Sequence, residues 1–173
     1  MKELIIPRGT TVVEGHAKEN FQCLRFSDTV TRLENCAFMD CIDLEIVYWG
    51  SNIVFAGHKI FYNCKKIKKV YANSEEDFFN YICDNFGSPL QYGADLYIGD
   101  KLCTEITIPR DLRCIEGLYN FLGCGSIKKF KVWEDTPCYK EICAMIEDIN
   151  NNKDKFRHFT DGDIQDIELE VLR

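Results

Sequence analysis

At 173 residues, with 46% hydrophobic and 13% aromatic residues, the chain can bury a substantial core as one domain or as a short array of repeats, which excludes a disordered segment. A formal charge of −7 excludes the basic footprint that general nucleic-acid affinity requires. No apolar run approaches the length of a membrane span, so membrane insertion is not expected either.

From the N-terminus, Leu4-Ile5-Ile6 is stopped at Pro7, too short a stretch for a secretory core region. A cytoplasmic, reducing setting is therefore expected for the ten cysteines, the alternative being a surface or secreted location if a leader was removed. Strand-like segments at 21–26, 44–49 and 67–72 then stand in register. At one constant step along the chain, Phe38 falls on Phe61, Cys41 on Cys64, Leu44 on Ile67 and Val47 on Val70. By the same step, Phe21 falls on Leu44, Leu24 on Val47 and Phe26 on Trp49. A strand plus a return loop is too small to bury its own apolar face, so such units must stack into a solenoid. Cys41 and Cys64 are expected in one internal column as small buried hydrophobes, with a disulfide between them as the alternative.

Ser74-Glu75-Glu76-Asp77 reads as an N-cap with an acidic first turn, followed by Phe78, Phe79, Ile82 and Phe86 on one helix face. Residues 89–102 read as a turn-rich connection with a hairpin around Gly99-Asp100. A second copy follows. Phe61-x-x-Cys64-x-x-Ile67-Lys68-Lys69-Val70 returns as Phe121-x-x-Cys124-x-x-Ile127-Lys128-Lys129-Phe130. Glu3-Leu4-Ile5-Ile6-Pro7-Arg8 returns, over a longer interval, as Glu105-Ile106-Thr107-Ile108-Pro109-Arg110. Thr136-Pro137 reads as the N-cap and first position of a second helix carrying Tyr139, Ile142, Cys143, Ile146 and Ile149. After a polar break at 150–155, residues 162–171 read as a last strand with alternating faces. The expected organisation is one domain over 1–173: a first repeat block (1–73), a helix and connector (74–102), a second block (103–133), and a C-terminal helix and capping strand (134–173).

Ile108-Pro109-Arg110-Asp111-Leu112-Arg113-Cys114-Ile115 and Ala37-Phe38-Met39-Asp40-Cys41-Ile42-Asp43-Leu44 resemble the two halves of the BspA-like, or Treponema-type, leucine-rich repeat, I-P-x-x-V-x-x-I followed by A-F-x-x-C-x-x-L. Pro89-Leu90-Gln91-Tyr92-Gly93-Ala94-Asp95-Leu96-Tyr97-Ile98-Gly99 is similar to the connector between repeat blocks of that family. The resemblance covers about residues 2–133. It implies a leucine-rich-repeat solenoid with a parallel concave β-sheet and a role in adhesion or partner binding; with the two interrupting or capping helices read above, the expected fold class is α/β. Two departures stand out: Phe26-Ser27 and Trp49-Gly50 replace the Ile-Pro pair, and His58-Lys59-Ile60-Phe61 lacks the alanine.

With the recurring apolar positions inward, the intervening ones face out on the concave sheet. These are Glu3, Ile5, Cys23, Arg25, Ile46, Tyr48, Lys69, Tyr71, Glu105, Thr107, Lys129 and Lys131, with Trp133 just beyond. Arg25, Ile46, Tyr48, Lys69, Tyr71, Glu105, Lys129, Lys131 and Trp133 are the candidate protein-binding residues, because Tyr, Trp and Arg serve as interface anchors. Lys69, Lys129 and Lys131 point to an acidic patch on the partner. The plain alternatives are an ordinary solvated sheet face, or a repeat fragment of a bacterial surface protein whose role is structural or adhesive.

Other chemistry finds little support. Lys65-Lys66-Ile67-Lys68-Lys69 could suggest nucleic acid, but its later copy reads Gly125-Ser126-Ile127-Lys128-Lys129. Cys36-x4-Cys41 and Cys138-x4-Cys143 fit zinc spacing poorly, His16, His58 and His158 are scattered, and Asp161-x-Asp163-x-Gln165 does not continue as a calcium loop. No Walker loop, nucleophile elbow or zinc-protease helix occurs, so neither catalytic residues nor a cofactor are expected.

Overall fold

The computed structural model describes residues 1–15, 20–79, 82–83, 87–157, 160 and 162–173, with residues 82–83 described for the backbone alone. His16, Phe86, His158 and Asp161 lie outside the described residues. In chain order the strands are β1 (Glu3–Ile5), β2 (Val12–Val13), β3 (Cys23–Arg25), β4 (Arg32–Leu33), β5 (Ile46–Tyr48), β6 (Phe55–Ala56), β7 (Lys69–Ala72), β8 (Ile82–Cys83), β9 (Asp95–Ile98), β10 (Lys101–Leu102), β11 (Glu105–Thr107), β12 (Lys129–Trp133) and β13 (Glu168–Leu172). An α-helix, α1, spans Tyr139–Asn151, and 3-10 helices cover Glu75–Phe78, Glu116–Phe121 and Lys153–Phe156.

The strands form sheets ordered β1-β3-β5-β7-β9-β10, β2-β4-β6-β8 and β11-β12-β13. Among the described residues every pairing is parallel except the β9–β10 hairpin, which turns at Gly99-Asp100 as the sequence predicts. The register of the first sheet follows the sequence repeat: Leu24 lies beside Val47 and Val47 beside Val70. Each of the first turns contributes one strand to the first sheet and a two-residue strand to the second.

The core explains this stacking. Leu24, Val47, Val70 and Leu96 form one fully buried row, and Phe38, Phe61 and Phe78 are equally inaccessible. Phe26 and Trp49 occupy the buried place that Ile6 holds in the first turn, which accounts for the lost Ile-Pro pairs. Phe26 meets Trp49 edge-on at 5.6 Å, Trp49 stacks on Phe78 at 5.6 Å, and Phe78 contacts Phe121 at 5.6 Å. Phe121 in turn contacts Phe130, so one aromatic spine joins both repeat blocks in a single core.

Three expectations change. The helix read from Ser74 is a single 3-10 turn. Its cap is as expected: the Ser74 hydroxyl accepts from Glu76 N–H at 3.1 Å, and the Asp77 carboxylate accepts from Asn73 N–H at 3.0 Å and Ser74 N–H at 3.1 Å. Phe78 then plugs against Trp49, and the chain must turn back to pair β8 with β6 rather than continue a helix. Second, Thr136 does not cap α1. Cys138 holds that position, and the buried Thr136 hydroxyl has no hydrogen-bond partner among the described residues.

Third, 89–102 is more than a connector, since β9 is a full rung beside β7. The backbone carries the same signature. Asn63, Gly93 and Gly123 stand at equal intervals along the chain, and all have positive φ, at 64°, 90° and 82°. Asparagine tolerates this left-handed geometry and glycine adopts it freely. Gly123 is also hemmed in, because a Cβ there would lie 2.9 Å from Thr160 Cβ. The tail packs on this rung as well, with Gly162 N–H donating to Gln91 C=O at 2.8 Å.

Cys41 and Cys64 do share a buried column and are free thiols, with Cys64 Sγ donating to Phe38 C=O at 3.1 Å. The C-terminal strand forms, but it is shorter than the 162–171 read from the sequence: only β13, Glu168–Leu172, is strand. The Asn150 side chain on α1 grips the Ile167 backbone through two 2.9 Å hydrogen bonds, delivering β13 to the edge of β12.

Candidate functional site: the concave face

On the first sheet, alternation places Arg25, Tyr48 and Tyr71 in one cross-strand row. Register adds Tyr97 from β9 to that row, and the side chains form a continuous stack. The Arg25 guanidinium lies 3.6 Å from the Tyr48 ring centre, Tyr48 stacks on Tyr71 at 4.8 Å, and Tyr71 stacks on Tyr97 at 4.9 Å. All four are partly exposed. The neighbouring row runs Glu3, Cys23, Ile46, Lys69 and Asp95.

Cys23 departs from expectation. It stands on the concave side, yet only 1% of its surface is exposed, and its thiol donates to Glu3 Oε1 at 3.4 Å. Burial first, and then the Glu3 carboxylate, push its pKa up to about 11. Arg25 is tied to the same Glu3 carboxylate at 3.2 Å.

Glu105, Thr107, Lys129, Lys131 and Trp133 share a face as predicted, but on a separate sheet, β11-β12-β13. There the register sets cations against carboxylates. Lys131 meets Glu105 at 2.5 Å, and Lys129 meets Glu168 at 3.0 Å and Glu170 at 3.4 Å. These contacts hold both lysines above their usual pKa and Glu105 below its own. The positive charge expected of this sheet is thus cancelled within it, by Glu105 and by two β13 glutamates that sequence reasoning left out of the face. Lys69, on the first sheet, lies 5.7 Å from the Tyr97 ring centre and opposite Asp95 in register.

Glu75 closes the seam between the two sheets. Its carboxylate accepts the Thr107 N–H at 2.7 Å, and loss of solvent raises its pKa despite that hydrogen bond. Two shallow grooves follow the C-terminal ends of the strands. One, of about 290 Å³, is lined by Arg25, Tyr48, Tyr71, Asn73 and Asp100 among others. The other, of about 350 Å³, begins at the same Asn73 and runs past Glu75 and Glu76 to Arg110 and Trp133. Arg110 sits 5.0 Å from the Trp133 ring centre and is held by Asp135 through two 2.9 Å hydrogen bonds.

Sequence reasoning placed Arg25, Ile46, Tyr48, Lys69, Tyr71, Glu105, Lys129, Lys131 and Trp133 on outward positions, and the structure has each there. It missed Asp95 and Tyr97. The available signal was the match of Asp95-Leu96-Tyr97-Ile98 to Lys69-Val70-Tyr71-Ala72, with a leucine on a valine and a tyrosine on a tyrosine. Among the described residues, no group of three or more His, Cys, Asp or Glu side chains is placed to hold a metal. Among them, too, no helix is long and apolar enough to cross a membrane.

The family profile for the BspA type leucine rich repeat region matches residues 1–86, in 6 copies. No curated protein and no solved structure matches the chain.

Proposed function

We propose, from the premise that residues 1–86 of this chain belong to the BspA-type leucine-rich-repeat family, that the protein is a non-catalytic interaction module binding a partner protein through its concave face. The observation that carries this reading is the Arg25–Tyr48–Tyr71–Tyr97 stack across four neighbouring strands. Tyrosine and arginine are enriched among interface anchors because they offer large, rigid, amphipathic area. A row that is already stacked loses little further side-chain freedom when a partner docks, which favours affinity. Repeat folds commonly use such extended concave surfaces for binding.

The test is affinity capture from native lysate with the wild type and with a Tyr48→Ala/Lys69→Ala/Tyr71→Ala variant. The variant should lose proteins that the wild type retains. Identical recovery by both removes the reading.

A further inference from the structure

The two grooves along the C-terminal rim of the strands are continuous through Asn73, which lines both. Their charge is one-sided. The two arginines that line them are already committed, Arg25 to Glu3 and Arg110 to Asp135. The remaining charged lining is acidic: Asp100 in the first groove, Glu75 and Glu76 in the second. Among the described residues, no ion-pair partner faces Asp100 or Glu76, and both are exposed. Lys101 follows Asp100 in the chain but lines a different depression, with Glu75 and Glu105.

The two tyrosines of the first groove restrict what can lie there. A sugar would need an open ring face to stack on. The faces of Tyr48 and Tyr71 are covered by Arg25, by each other and by Tyr97 at 3.6–4.9 Å, leaving ring edges and hydroxyls outward. Edges and hydroxyls suit a polypeptide backbone and aliphatic side-chain stems. Within each sheet the rim crosses strands spaced about 4.8 Å apart, so an extended chain of about eight residues is long enough to cover several of them.

We propose that this rim seats an extended segment of the partner protein bearing lysine or arginine, its cations meeting Asp100 and Glu76. The proposal rests on the interaction-module reading and gives that partner a chemistry opposite to the acidic patch expected from the sequence. A cation arriving beside Glu75 would also favour the ionised form that burial disfavours there.

The experiment is fluorescence anisotropy with a labelled octapeptide of alternating lysine and proline, which stays extended in solution, and its glutamate–proline counterpart. Three proteins are compared: wild type, Asp100→Asn/Glu76→Gln, and Glu147→Gln/Asp163→Asn. The last removes the same charge at exposed positions that do not line the grooves. The lysine peptide should bind wild type and the remote variant alike and bind the rim variant about fivefold more weakly. Equal weakening by both variants, equal binding of the glutamate peptide, or no binding of the lysine peptide overturns the proposal. If it fails while protein capture still depends on Tyr48 and Tyr71, the rim assignment falls and the concave-face reading stands. If capture is also indifferent to those tyrosines, both fall.

Discussion

Tyr71 stacks on Tyr48 with ring centres 4.8 Å apart and 13° between the ring planes, and its other face meets Tyr97 at 4.9 Å. It is therefore the central ring of the concave row, while Tyr97 sits at the end of the tyrosine stack. Aromatic pairs contribute beyond their buried area, so Tyr71→Ala should cost about 1–3 kcal/mol of stability and Tyr97→Ala about half as much. Tyr71→Phe keeps both stacks and should leave the urea midpoint nearly unchanged. Equal losses for the Tyr71→Ala and Tyr97→Ala variants would show that the row is not coupled.

Phe78 is fully buried and links Trp49 of the first block to Phe121 of the second. Phe78→Ala should cost about 3–5 kcal/mol, as truncation of a buried aromatic does. Hydrogen exchange supplies a sharper readout. Weakening this link should raise exchange in β11 and β12 more than in β3 and β5. Uniform acceleration would show that the two blocks do not unfold separately.

Gly123 has φ 82°, and a methyl placed there would meet the Thr160 side chain first. Gly123→Ala should therefore destabilise by about 1–3 kcal/mol through left-handed strain and crowding. Lys59 also has positive φ, at 55°, but carries a side chain. Lys59→Gly should be neutral or stabilise by up to about 1 kcal/mol. Thermal melts of the two variants should move apart; a similar loss in both would contradict the assigned backbone.

Glu75 and Glu105 should titrate on opposite sides of the ordinary glutamate value. The Glu105 pKa is lowered by Lys131, so its stabilising contribution is present above its unfolded pKa and is lost as pH falls through the folded one. The Glu75 pKa is raised by loss of solvent, so ionising it opposes folding at neutral pH, and that cost is relieved as pH falls through the raised value. Side-chain carboxyl NMR titrations read both directly. Glu75 titrating below Glu105 would contradict the seam geometry.

How much of this was legible in the chain depends on the kind of signal each part leaves. The strands around Leu24, Val47 and Val70 were readable because one buried row demands one side-chain type at a fixed step. The concave positions followed by alternation. The β9 rung was hidden because its return loop is longer, and because Gln91 and Ala94 stand where the earlier turn has Phe61 and Cys64. A polar Gln91 is buried there, its Nε2 donating to Phe61 C=O at 3.3 Å. The separation into two sheets was also hidden, since it depends on the β9–β10 hairpin turning back antiparallel. The cancelled charge of Lys129 and Lys131 required knowing that β13 docks beside β12. That places Glu168 opposite Lys129, with the whole of α1 between them in the chain.

The most direct test of the central claim is site-specific photo-crosslinking in native lysate. A benzoylphenylalanine is placed at Tyr71 on the concave face and, separately, at the exposed Tyr62 in a return loop. Binding through the concave face predicts a discrete protein adduct from position 71 and none from position 62. An adduct from position 62 alone would contradict it.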